Sequence, residues 1–123
     1  MVQEARRLGV RRIVVTHAMM APIHMKTPEM LEAAQLGAYI EFVYNGLIGP
    51  FKEFEPEDYA AAIRAVGAEH CVLSSDLGQP ANPLHPDGLL EFFASLERCG
   101  FTPREIGRMS KDNPARLLDL DRE

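Results

Sequence analysis

The chain has 123 residues, 46% of them hydrophobic and 25% charged, with a formal net charge of −5 at neutral pH. That length suits one domain burying roughly two thirds of its unfolded surface, and it excludes a complete eight-stranded α/β barrel, which needs about 250 residues. The acidic balance argues against nucleic-acid or anionic-membrane binding, because the basic cluster Arg6, Arg7, Arg11 and Arg12 falls where a helix C-terminus welcomes cations.

Residues Gln3 to Leu8 read as the last turns of a helix whose beginning is missing, followed by Gly9. Arg12 to Thr16 is a β-branched run with strand character, and a loop carrying His17, Met19, Met20, Pro22, His24 and Met25 follows it. Thr27 and Pro28 give an N-cap and first-turn signal, and Met30, Leu31 and Ala34 form an apolar stripe up to Gly37. Ala38 to Tyr44 is the second strand, apolar at nearly every position as a sheet covered on both faces requires; its charge is Glu41.

Asn45, Gly46, Gly49 and Pro50 mark a loop, and Pro56 starts a helix in which Tyr59, Ile63 and Val66 share a face. Cys71 to Ser75 forms the third strand and ends at Asp76. A loop rich in Pro, Asn and Gly leads to a helix striped by Leu89, Leu90, Phe93 and Leu96, which stops at Gly100. Beyond it, Thr102 with Pro103 and Asn113 with Pro114 open two short helices with no strand between them, the second carrying Leu117, Leu118 and Leu120.

The glycines set a period: 28 residues from Gly9 to Gly37, 30 to Gly67 and 33 to Gly100. Each interval is close to the ~30 residues of a strand plus crossover helix. The expected fold is therefore α/β, three consecutive βα units with a helical C-terminal tail, in a single domain over residues 1–123. No apolar leader and no apolar run approaching about 18 residues occurs, so a cytoplasmic protein with no membrane partner is expected. Cys71 and Cys99 are expected to be free thiols acting as small hydrophobes.

In this architecture each strand's C-terminal end lines the mouth built by its loops, so chemistry is sought at His17, Asn45 and Asp76. A carboxylate at the end of an apolar strand, as at Asp76, costs desolvation unless it meets a cation or hydrogen-bond donors, although an Asx turn is the simpler role. A neutral imidazole at His17 suits a divalent metal or a general base, or else a backbone carbonyl. Asn45 holds the same offset from its glycine and is placed to bind substrate or to make a turn. Glu41 shares the side-chain parity of Asn45, and a lone carboxylate within a strand calls for a metal, a basic partner or a raised pKa as an acid or base. His24 and His85 lie in mouth-side loops as candidate substrate contacts; His70 starts the third strand at the opposite end and reads as structural. No G-x-G-x-x-G, P-loop, nucleophile elbow or C-x-x-C motif occurs.

Taken in order, Ile-Val-Val-Thr-His17, Ala-Tyr-Ile-Glu-Phe-Val-Tyr-Asn45, Val-Leu-Ser-Ser-Asp76-Leu-Gly-Gln79 and Asn113-Pro-Ala-Arg-Leu-Leu-Asp-Leu120 resemble the C-terminal part of amidohydrolase-superfamily metal-dependent hydrolases, in a branch related to the phosphotriesterase-like, TatD-like and decarboxylase-type members. The resemblance implies a TIM-type (β/α)8 barrel of which these strands are the sixth to eighth. It implies hydrolysis of an amide, ester or phosphoester in a small-molecule substrate, through a divalent metal such as zinc. His17 maps onto a position that binds metal or polarises the substrate, Asp76 onto one that binds metal and takes the proton of the attacking water, and Gln79 joins the candidate substrate contacts. The family's His-x-His pair and the ligands of its fourth and fifth strands have no counterpart here, and Glu41 matches no general family position. Two ligands are one short of a usual catalytic zinc site. The expectation is a C-terminal piece of a larger hydrolase, a half-barrel completed by another chain, or a non-catalytic α/β module that associates with itself or a partner.

Overall fold

The computed structural model describes residues 1–120. Three strands, β1 (Ile13–Val15), β2 (Ala38–Val43) and β3 (Cys71–Ser74), form one parallel sheet in the order β1-β2-β3. Helix α1 (Val2–Arg7) precedes β1, α2 (Thr27–Gln35) links β1 to β2, and α3 (Pro56–Val66) links β2 to β3. After β3 come α4 (His85–Arg98), α5 (Pro103–Gly107) and α6 (Asn113–Leu117). This is the expected α/β order with a helical tail, and three strands are what the described residues contain. Among these residues no helix is long and apolar enough to cross a membrane.

Local chemistry accounts for the element ends. Gly9, Gly37, Gly67 and Gly100 all take positive φ, between +82° and +96°, which lets each helix turn back toward the sheet. At the start of α2 the Glu29 carboxylate accepts the Lys26 N–H at 2.7 Å, so Lys26 occupies the cap position expected for Thr27. Asp58 does the same for Glu55 N–H at 2.9 Å, and Thr102 Oγ1 accepts Glu105 N–H at 3.2 Å.

The core lies between the helices and one sheet face. Ala38, Ile40, Phe42, Tyr44, Cys71 and Leu73 share side-chain parity and pack with Met30, Ala33, Tyr59, Ile63, Phe92 and Leu96. Tyr59 sits at its centre, edge-on to Phe42 at 5.3 Å between ring centroids, with its hydroxyl donating to the Val43 carbonyl at 3.1 Å. The opposite sheet face is closed at Val43 and Val72 but opens toward β1, where Val14 is 39% exposed and Tyr39 and Glu41 are half-buried. The near-continuous apolar run of β2 thus does not mean full cover on both faces across the sheet.

Two further expectations are corrected. In α4 the buried residues are Gly88, Phe92, Ser95 and Leu96, and Leu90 is 67% exposed. A side-chain carbon at Gly88 would collide with Leu77, so the helix packs closely at a residue with no apolar signal. At the tail, α5 runs through a π-helical turn (Arg108–Asp112) straight into α6, and Asn113 is an interior helical residue. Its buried amide donates to the carbonyls of Ala68 at 2.8 Å and Cys71 at 2.7 Å, tying the tail to the start of β3. Ile106 and Met109 enter the core in place of Leu118 and Leu120, which are exposed.

Candidate functional site at the C-terminal ends of the strands

Polar residues follow each strand, Thr16 and His17 after β1, Asn45 after β2 and Ser75 and Asp76 after β3, and parallel pairing brings them to one end of the sheet. The ladder continues past the strands: Asn45 N–H donates to the Ser75 carbonyl at 3.0 Å, and Ala18 N–H to the Glu41 carbonyl at 3.3 Å. His17 and Asp76 therefore lie at the same end, on either side of β2. Both have left-handed backbones, with φ of +35° and +51°. For residues other than glycine this costs on the order of 1–3 kcal/mol, a strain that concentrates at functional sites.

Two polar clusters occupy this end. The first centres on Glu41, whose Oε2 accepts the His17 backbone N–H at 3.2 Å and whose Oε1 accepts the Ser74 hydroxyl at 2.9 Å. The carboxylate is thus held by neutral donors from both neighbouring segments. The imidazole of His17 adds a buried Nδ1 with no hydrogen-bond partner. A buried ring nitrogen left unpaired costs free energy, and it is the kind of donor atom that a metal ion or a polar substrate group satisfies.

The second cluster centres on Asp76. The buried Asn45 donates through Nδ2 to Asp76 Oδ2 at 3.3 Å and accepts through Oδ1 from Asn82 Nδ2 at 3.2 Å. Gln79 closes the group, donating to the Asp76 carbonyl at 3.4 Å and accepting from Asn82 at 2.9 Å. Asn45, Asp76 and Gln79, singled out from sequence, do come together. Asn82 was not among them; its one signal was a place in the loop after β3.

His85 and His24 stand apart from these clusters. His85 is the first residue of α4, not a loop residue, and its Nδ1 bonds the buried Ser75 hydroxyl, which also accepts Leu77 N–H at 3.2 Å. His24 is exposed and lies 3.4 Å from Glu53 Oε2. His70 falls in the turn before β3, at the far end of the sheet.

His17 also lines a groove of about 620 Å³ along the outer edge of β1, walled by Val2, Val14, Ile23, Met25 and Leu36 among others. Asp76 is not one of its walls, so the side chains at 17 and 76 share an end of the sheet without sharing this groove. A cavity of about 580 Å³ at the other end mixes Arg64, Arg104 and Arg108 with Glu69, Glu105 and Asp112.

A metal site needs convergent ligands, and among the described residues no group of three His, Cys, Asp or Glu side chains is close enough to hold an ion. The donor chemistry of His17 and Asp76 fits a divalent ion, but only as part of a ligand set. Burial pushes the Cys71 thiol up to about 12, and Cys99 is also shifted upward by burial, so neither is a ready ligand or nucleophile.

Residues 1–41, the stretch containing His17, His24 and Glu41, are similar to a family of unknown function, DUF6282. No curated protein and no solved structure matches the chain significantly.

Proposed function

We propose that this chain forms part of a metal-dependent hydrolase of the amidohydrolase type, cleaving an amide, ester or phosphoester bond in a small molecule. The observation that carries the reading is the unpaired, buried Nδ1 of His17, at the same sheet end as Asp76 and on an equally strained backbone. In this reading His17 offers its ring nitrogen to a divalent ion such as zinc. Asp76, oriented by Asn45, supplies a carboxylate able to ligate and to accept a proton. Half-buried Gln79 presents its amide to the substrate while buried Asn45 orients Asp76, with His24 and His85 reached from flanking segments. The chemistry supplied by such an ion is activation of water, whose pKa falls to about 7. The three βα units then serve as a segment of a (β/α)8 barrel, and further ligands come from outside residues 1–120.

Zinc titration by calorimetry tests this reading. Binding by the chain is expected to be weak, and His17→Ala and Asp76→Ala are each expected to weaken it further, with ester hydrolysis following the same order. Zinc affinity unchanged in both variants overturns the assignment.

A second reading, a non-catalytic half-barrel that associates with itself or a partner chain, is favoured by one observation. Among the described residues strand β1 pairs only with β2, and its outer edge opens on the apolar groove. Val14→Lys puts a charge at that edge. In this reading it converts an associated species to the 13.7 kDa monomer by sedimentation, whereas a wild-type chain that is monomeric at every concentration excludes it.

A further inference from the structure

Glu41 was read from the sequence as a possible catalytic or metal-binding carboxylate, and its surroundings point elsewhere. It is the charged residue of β2, half-buried, and it reaches both neighbouring segments at one level. Two consecutive amides at the end of β1 are anchored to it: His17 N–H on its carboxylate at 3.2 Å and Ala18 N–H on its carbonyl at 3.3 Å. Between these anchors the chain takes the left-handed turn at His17, φ +35°, that sends the ring away from an ordinary strand path. On the other side Ser74 fixes the carboxylate by donating to Oε1 at 2.9 Å.

We infer that Glu41 is a positioning residue: it bridges β1 and β3, holds the backbone reversal at His17 and thereby aims the His17 imidazole, without itself ligating a metal or transferring a proton. Each of its carboxylate oxygens accepts a hydrogen bond from a neighbouring segment. This arrangement needs acceptor geometry more than charge. A glutamine fits it, because its carbonyl oxygen accepts His17 N–H while its amide donates to Ser74 Oγ, a hydroxyl able to switch from donor to acceptor. A carboxylate that bound metal or moved protons has no such substitute. The inference rests on the proposed role of His17 but concerns the ring's placement, which is measurable with no metal present.

The experiment compares Glu41→Gln, Glu41→Ala and Ser74→Ala with the parent chain. NMR of the metal-free protein follows the His17 amide and ring signals, and zinc titration follows affinity. Glu41→Gln is expected to keep the His17 signals in place and to hold zinc affinity within about threefold. Glu41→Ala is expected to displace the signals and to lower affinity by about ten- to a hundredfold, the usual effect of losing a partner that orients a ligand. Ser74→Ala shifts the same signals less, and it decides the matter together with Glu41→Gln if Glu41→Ala does not fold. Loss in Glu41→Gln as large as in Glu41→Ala overturns the inference, as do unmoved His17 signals in Glu41→Ala. If the parent chain and His17→Ala bind zinc equally, the hydrolase reading fails while the NMR comparison still judges Glu41.

Discussion

Asn45 and Asp76 meet across the ends of β2 and β3: the asparagine amide donates to Asp76 Oδ2 at 3.3 Å while its carbonyl holds Asn82 at 3.2 Å. One buried side chain thus pins the loop after β3 at two points. Asn45→Ala removes both bonds and is expected to destabilise the fold by about 1–3 kcal/mol, the usual cost of leaving buried polar groups unpaired. Asn45→Asp is expected to cost more, because it sets two carboxylates against each other. Urea unfolding of the two variants checks the order.

Asn113 makes a similar prediction at the far end of the sheet. Its amide satisfies the carbonyls of Ala68 and Cys71, and Asn113→Ala leaves both without that donor. A loss of about 2 kcal/mol or more is expected. Hydrogen exchange should then rise in α5, α6 and the turn before β3 ahead of α3, since it is the tail that is released.

The two thiols should separate in a labelling experiment. Cys71 is fully buried and its thiol is held up to about 12 by burial first and by the nearby Glu69 second, so it stays protonated and inaccessible. Cys99 is partly exposed. Alkylation under native conditions is expected to modify Cys99 alone, and Cys71 only after unfolding. Because the folded Cys71 value lies above the unfolded one, its contribution to stability is complete below about 9 and is lost as the pH rises toward about 12.

The Arg64–Glu105 pair contributes to the acid limb. The hydrogen bond from Arg64, followed by that from the Thr102 backbone, lowers the Glu105 carboxyl from 4.5 to about 2. A depressed folded value means stabilisation present above the unfolded pKa and lost as the pH falls from about 4.5 toward 2. Glu105→Gln should therefore lower stability at neutral pH and flatten its fall over that window, as read from thermal unfolding at a series of pH values. Arg64→Ala should flatten it too, with an added loss from the guanidinium that lies 3.8 Å over the Phe101 ring.

Much of this molecule could be read along the chain because the signals were local. A β-branched run marked the first strand and apolar runs the other two, and glycines at helix ends marked the turns that lead into them. The face of α4 could not be read this way, since periodicity counts apolar side chains and the buried face includes Gly88, which has none, and Ser95. Asn113 followed by proline carries the sequence signature of a cap, yet its amide is used by carbonyls 42 and 45 residues away. At the site, strand-end position grouped Asn45 with Asp76, whereas the parity that joined Glu41 to Asn45 did not foresee that the two lie in different clusters. The ties between Asn45 and Asn82, and between Glu41 and the His17 amide, depend on how loops from different units meet, which no spacing encodes.

The left-handed backbones at His17 and Asp76 set robustness against chemistry. Glycine would relax either position, so His17→Gly and Asp76→Gly relieve a torsional penalty even as they delete the side chain. Selection of this chain for heat resistance alone would favour glycine at 17, where the buried ring nitrogen has no partner to lose, over glycine at 76, where the carboxylate satisfies Asn45. A screen for durability therefore has to carry a second selection, for whatever the His17 ring does, if it is not to discard it.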